Sequence, residues 1–207
     1  MSFALVVLAL TGTAAAAADT YRLDTDASAL YVQVFRDERT IGAGLAHDHV
    51  VAATGWTGEV RWDLADPTAC EVRITVPVAG LRADEDAARR RVGEEPLSEG
   101  QRAKIAESMR GPSQLDAAAF PTITYTATRC EPSGDTVRVT GALTVHGVTR
   151  TVTTPMRVTA DGTTFTARGT FRAKATDFGF APYRALAGAL RNRDEMTFTV
   201  DVKGSTD

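Results

Sequence analysis

The chain has 207 residues, 43% of them hydrophobic and 24% charged, with a formal net charge of −3. That describes a globular chain with room for one sizeable core, most simply one domain, and no excess of positive charge to suggest a nucleic-acid partner. Two cysteines, far apart in sequence, exclude a C-x-x-C redox or metal pair.

The first residues, MSFALVVLALTGTAAAAADT, hold an apolar run from Phe3 to Leu10, then small residues ending at Ala16-Ala17-Ala18 before Asp19. This predicts a cleavable secretory signal over residues 1–18, although it lacks a basic leading segment. The apolar run is about half of the ~20 residues that a spanning helix needs. The mature chain, 19–207, is therefore expected in the periplasm or outside the cell, where Cys70 and Cys130 can be oxidised to each other. Cys70 opens one predicted strand and Cys130 closes the next, which favours a bridge between antiparallel neighbours. Cys130 is nevertheless on the opposite parity from Ile123 and Tyr125, so a cross-strand pair needs a bulge or a frayed end.

From Tyr21 to Phe35 the chain reads as a strand in which Leu30, Val32 and Val34 alternate with Tyr31, Gln33 and Phe35. Residues 41–53, IGAGLAHDHVVAA, bring glycines and two of the three histidines together before a strand resumes through Trp56, Val60 and Trp62. Cys70 to Val78 is a well-patterned strand with Val72, Ile74, Val76 and Val78 on one face. The period of two is then lost. A helical insertion is predicted at about 84–112, with Ser98 as N-cap and Gly111-Pro112 as its end. Within it Arg89-Arg90-Arg91 is surrounded by Asp84, Glu85, Asp86, Glu94 and Glu95, and reads as a solvated charged face rather than a nucleic-acid patch.

Strands resume at Pro121 to Cys130. Thr136 to Val158 is the clearest pattern in the chain, two runs joined by a tight turn at His146-Gly147-Val148. Asp161-Gly162 turns into Thr164 to Ala175, residues 176–195 are irregular, and Met196, Phe198, Val200 and Val202 form one face of a last strand. About eight strands joined mostly by turns predict an all-β fold with one helical insertion, a closed antiparallel barrel that leaves no exposed edge. Such a barrel either packs solid or holds one small ligand. The expected interior is Val32, Val34, Ile74, Val76, Tyr125, Leu143, Val145, Phe165, Phe171, Phe198 and Val200.

Three stretches together, FPTITYTATRCE at 120–131, GALTVHGVTRTVTTPM at 141–156, and ATDFGFAPYRALAG with its closing strand at 175–202, resemble the YceI-like, lipocalin-like polyisoprenoid-binding family of exported bacterial proteins. The resemblance implies an extended eight-stranded antiparallel barrel with an apolar tunnel for an isoprenoid tail, polyprenyl or quinone-like, and no chemistry on the ligand. No cofactor is required on this reading. Tyr183 and Arg184, in the loose segment near the expected rim, are the candidates to meet a head group, and peripheral contact with a membrane is compatible with such a carrier. The sequence departs from the plainest members at AHDHV, residues 46–50, and in its long insertion.

A second reading rests on His47 and His49. Imidazoles two apart in an extended chain point the same way and can grip one metal ion, with His146 or a carboxylate such as Asp48 or Asp177 completing the site. It makes the protein a metal-binding protein or a metal-dependent enzyme. No nucleophile supports other catalysis: Ser28, Ser98, Ser108, Ser113 and Ser133 sit in turn, capping or helix contexts, and no G-x-S-x-G elbow or phosphate loop is present. A third reading is a solid barrel that serves as an interaction module.

Overall fold

The computed structural model describes residues 18–206, so the expected signal segment lies outside the described residues but for Ala18. The strands are β1 (Asp19–Leu23), β2 (Ala29–Arg36), β3 (His49–Ala53), β4 (Thr57–Trp62), β5 (Glu71–Pro77), β6 (Leu81–Ala83), β7 (Thr122–Ser133), β8 (Thr136–Val145), β9 (Val148–Ala160), β10 (Thr164–Lys174), β11 (Arg184–Ala185) and β12 (Leu190–Ser205). Between β6 and β7 lie helices α1 (Asp86–Arg91) and α2 (Glu99–Arg110).

The first six strands are three barrel strands, each broken once. β1 and β2 both pair with β12, Arg22 opposite Ser205 and Val32 opposite Phe198, while β4 pairs with β1 and β3 with β2. β5 and β6 continue the pattern against β4 and β3. β7, β8, β9, β10 and β12 follow as antiparallel neighbours and close an eight-stranded ring. The break after β1 has a local cause: the Asp24 carboxylate accepts hydrogen bonds from the amides of Asp26 and Ala27, which turns the backbone out of the ladder.

The β8–β9 hairpin closes through two residues, His146 (φ 51°) and Gly147 (φ 72°), with Val145 opposite Val148. Both central residues are left-handed, as the twist of such a hairpin demands. A side chain at position 147 would also collide with the Phe120 ring. At the other end of the barrel Phe165 packs against Tyr21 and Trp62, with ring centroids 5.4 and 5.9 Å apart, and forms a floor.

Cys70 and Cys130 form a disulfide. The parity conflict is resolved by a bulge: the β7–β8 register shifts between Ala127 and Arg129, so Thr128 and Arg129 both face outward and Cys130 turns into the core. Gly141 opposite the bulge permits it, because a Cβ there would lie 2.6 Å from the Thr126 carbonyl oxygen. The bridge closes a loop with a sequence separation of 60. Replacing both cysteines with alanine is expected to lower stability by about 4 kcal/mol on the chain-entropy scale. Urea unfolding of the variant beside the oxidised parent measures this, and a loss below about 1 kcal/mol would contradict it.

Ser98 caps α2 in a capping box with Gln101, as the sequence predicts. The insertion departs from expectation at α1. Arg89 is not part of a solvated face: it is 1% exposed, whereas Arg90 and Arg91 are exposed. Its guanidinium is drawn inward by Asp84, which is itself fully buried.

Candidate ligand tunnel and its mouth

The interior of the barrel is a cavity of about 400 Å³, within the range of small-molecule sites. Val32, Val34, Ile74, Val76, Tyr125, Leu143, Val145, Phe165, Phe171, Phe198 and Val200 all line it. They do so because each lies on the inward parity of its strand; Phe171 and Phe198 are cross-strand partners whose rings stack at 4.7 Å. Trp62 and Phe165 reach the cavity from the floor. At the opposite end Ile105, Ser108 and Met109 of α2 roof it, together with Leu115, Phe180 and Pro182. Lining the same cavity at its mouth are Tyr183, Asn192 and Arg193. Tyr183 is half-exposed there, while Arg184 is exposed on β11 and does not line the cavity.

Few polar groups face the cavity. Burial pushes the Tyr125 hydroxyl up to about 12, which keeps it protonated at any physiological pH. His49 also lines the cavity, on the inward face of β3 with Val51 and Ala53. Its Nδ1 lies 2.7 Å from Asp84 Oδ2. The other Asp84 oxygen accepts from the Val50 amide (3.0 Å) and from Arg89 Nη1 (2.8 Å). Arg89 further donates to the carbonyls of Asp48 (2.9 Å) and Glu95. Burial alone would raise the Asp84 carboxyl, but hydrogen bonds from His49, Val50 and Arg89 outweigh it and hold the group below the usual range.

The expected metal centre is not formed. His47 is exposed, His49 is engaged by Asp84, and His146 sits in its turn with its ring 4.5 Å from Phe120 and 5.7 Å from Phe180. Asp48 and Asp177 accept hydrogen bonds from the amides of Arg36 and Lys174. Among the described residues no group of three or more His, Cys, Asp or Glu side chains is placed to hold a metal ion. Sequence spacing alone could not distinguish an imidazole pair from two side chains that leave the backbone in different surroundings.

Around the mouth, the loop after β2 is fastened to the start of β12. Asp37, nearly fully buried, accepts from Arg39 Nε (2.8 Å) and from the Arg191 guanidinium, and the Gly42 amide donates to the Ala189 carbonyl. Hydrogen bonds from Arg39 and then Arg191 hold the Asp37 carboxyl well below the usual range, and the Thr164 and Thr163 bonds do the same for Asp161. A carboxylate whose folded value is lowered stabilises the fold above its unfolded value near 4, and that stability is lost as the pH falls. The melting temperature is therefore expected to be level from pH 7 to about 4 and to fall below it. Asp37→Asn should flatten that fall; an unchanged acid limb would contradict the assignment.

A closed antiparallel barrel around an apolar cavity, roofed at one end and floored at the other, is a lipocalin-like architecture, which has room inside for one small ligand. The match to the YceI-like domain runs over residues 21–204, and the chain belongs to that family. Two curated relatives, UPF0312 proteins of Yersinia pestis and Yersinia pseudotuberculosis, are 41% identical over 54 residues, which is 26% of this chain and 28% of each relative. The fold is shared with the crystal structure of BcnA from Burkholderia cenocepacia (TM-score 0.64, 20% identity, 87% of this chain and 98% of that one). It is shared also with a Campylobacter jejuni YCEI protein (TM-score 0.56, 15% identity, 76% and 84%). No helix among the described residues is long and apolar enough to cross a membrane.

Proposed function

We propose that the protein is an exported, non-catalytic carrier whose barrel buries the tail of an isoprenoid-type lipid, polyprenyl or quinone-like. The observation that supports this best is the cavity itself: continuous from the Trp62–Phe165 floor to the α2 roof and walled almost wholly by apolar side chains. Burial suffices as a mechanism. At about 0.8 kcal/mol per CH₂ removed from water, ten methylenes supply about 8 kcal/mol, equivalent to a micromolar dissociation constant. Trp62 lines the cavity and Trp56 does not. In a Trp56→Phe variant, titration with a C20 isoprenoid is expected to change Trp62 emission saturably at one molecule per protein. Emission that stays constant to saturation of the aqueous phase would count against the proposal.

The rim supports loading from a membrane surface. Ile41, Leu45 and Leu186 are 101%, 75% and 68% exposed, and their loops are joined by the Gly42–Ala189 hydrogen bond. Leu186 and Ala187 hold left-handed conformations (φ 49° and 53°), a strained way to present apolar side chains to solvent. Residues 36–48 and 183–193 carry five arginines against three carboxylates in a chain whose net charge is −3. An apolar tip ringed by local positive charge suits an anionic bilayer. Co-sedimentation with vesicles containing about 30% phosphatidylglycerol is expected for the parent and not for Ile41→Asp/Leu186→Asp. Equal sedimentation of the two would contradict membrane contact through this rim.

A further inference from the structure

We propose that His49, oriented by Asp84, is a hydrogen-bond acceptor inside the tunnel that selects lipids ending in a hydroxyl group, such as a polyprenol or a quinol, over plain hydrocarbon. The inference rests on the tunnel being a lipid site and adds the identity of its polar end. An ionised carboxylate only accepts, so Nδ1 carries a proton, and in the neutral form of the ring Nε2 then carries the lone pair. Nε2 has no protein partner among the described residues, and the ring lies on the cavity wall between the positions of Val34 and Val51.

The local construction exceeds what holding α1 in place requires. Arg89 and Asp84 already satisfy one another, with Val50, Asp48 and Glu95 supplying further bonds from the backbone. A fully buried carboxylate is costly to keep. Its remaining oxygen is spent on a ring that is 19% exposed and faces the apolar cavity. This is how a histidine is fixed in tautomer and direction by a carboxylate behind it. His49 stands at the start of β3, at the end of the barrel where Tyr183, Asn192 and Arg193 line the mouth. A lipid with its tail toward Trp62 and Phe165 would place its head group at this end.

The experiment offers folded protein an equimolar mixture of geranylgeraniol and the C20 hydrocarbon phytane and reads the bound ratio by native mass spectrometry. The parent is expected to favour the alcohol by about tenfold, one hydrogen bond in a dry site. His49→Phe should bring the ratio close to one while keeping total occupancy, and His49→Gln should restore part of the preference through its amide. Asp84→Asn, which frees the tautomer, should fall between parent and His49→Phe. A ratio unchanged in a folded His49→Phe protein, or a parent that binds both lipids equally, would overturn the role of His49 and leave the tunnel reading intact. A parent that binds neither would overturn both.

Discussion

Phe171→Asp is expected to empty the tunnel. Phe171 is only half-buried at the wall, where its ring stacks on Phe198 and packs against the Leu143, Val145 and Phe178 cluster, and aspartate there puts a carboxylate facing the apolar interior of the cavity. A charge buried without a partner costs several kcal/mol, either directly or by admitting water that the tail must displace. Against about 8 kcal/mol from ten buried methylenes, such a cost lowers affinity by at least about 100-fold. Phe171→Leu keeps the wall apolar and should keep the lipid. Bound lipid per mole of protein, measured by extraction after detergent-free purification, separates the outcomes. Equal lipid in folded Phe171→Asp and parent would contradict lipid binding in the tunnel, and Leu143→Asp on β8 provides the same test from another strand of the cavity wall.

The second large effect is on stability. Arg89→Ala is expected to cost about 3–5 kcal/mol, because it leaves Asp84 buried with its main counter-charge gone. For a chain of this size that is a fall in melting temperature of roughly 6–20 °C. The contrast is with Arg172→Ala, whose pair with Glu195 is exposed on both sides and should matter by less than about 1 kcal/mol. Replacing the pair together, Asp84→Asn with Arg89→Met, removes both charges and should recover much of the loss. Asparagine also tolerates the left-handed backbone at position 84 (φ 56°). Thermal unfolding of these variants measures the difference, and an Arg89→Ala protein as stable as Arg172→Ala would show that the buried pair does not anchor the insertion.

The barrel was legible because most of its strands are one-sided. Leu143 and Val145, or Phe165 and Phe171, announce an interior by period alone, and short turns between runs leave a closed ring as the simplest way to hide the edges. The Cys70–Cys130 pairing was legible from the neighbouring strand ends the two cysteines occupy, but only against a conflict of parity, since the bulge at Thr128 leaves no mark in composition. The mouth was harder to read. Arg89 lies in a run of alternating charge that looks like solvated surface, and only the left-handed turn at Asp84 and the fold of α1 over β3 bury it. His49 was visible as a candidate, but its partner proved to be a carboxylate thirty-five residues away rather than a second histidine. Asn192 and Arg193 were missed altogether, because the irregular segment before them carries no period from which an inward face could be assigned.

The most direct test of the account is native mass spectrometry of residues 19–207, purified without detergent from a bacterial periplasm. An added mass matching one isoprenoid lipid, lost on denaturation and absent from Phe171→Asp, is the result predicted here. A bare polypeptide mass that stays bare after incubation with C20 to C40 isoprenoids would contradict it, and a single added metal mass without lipid would return the weight to the histidines.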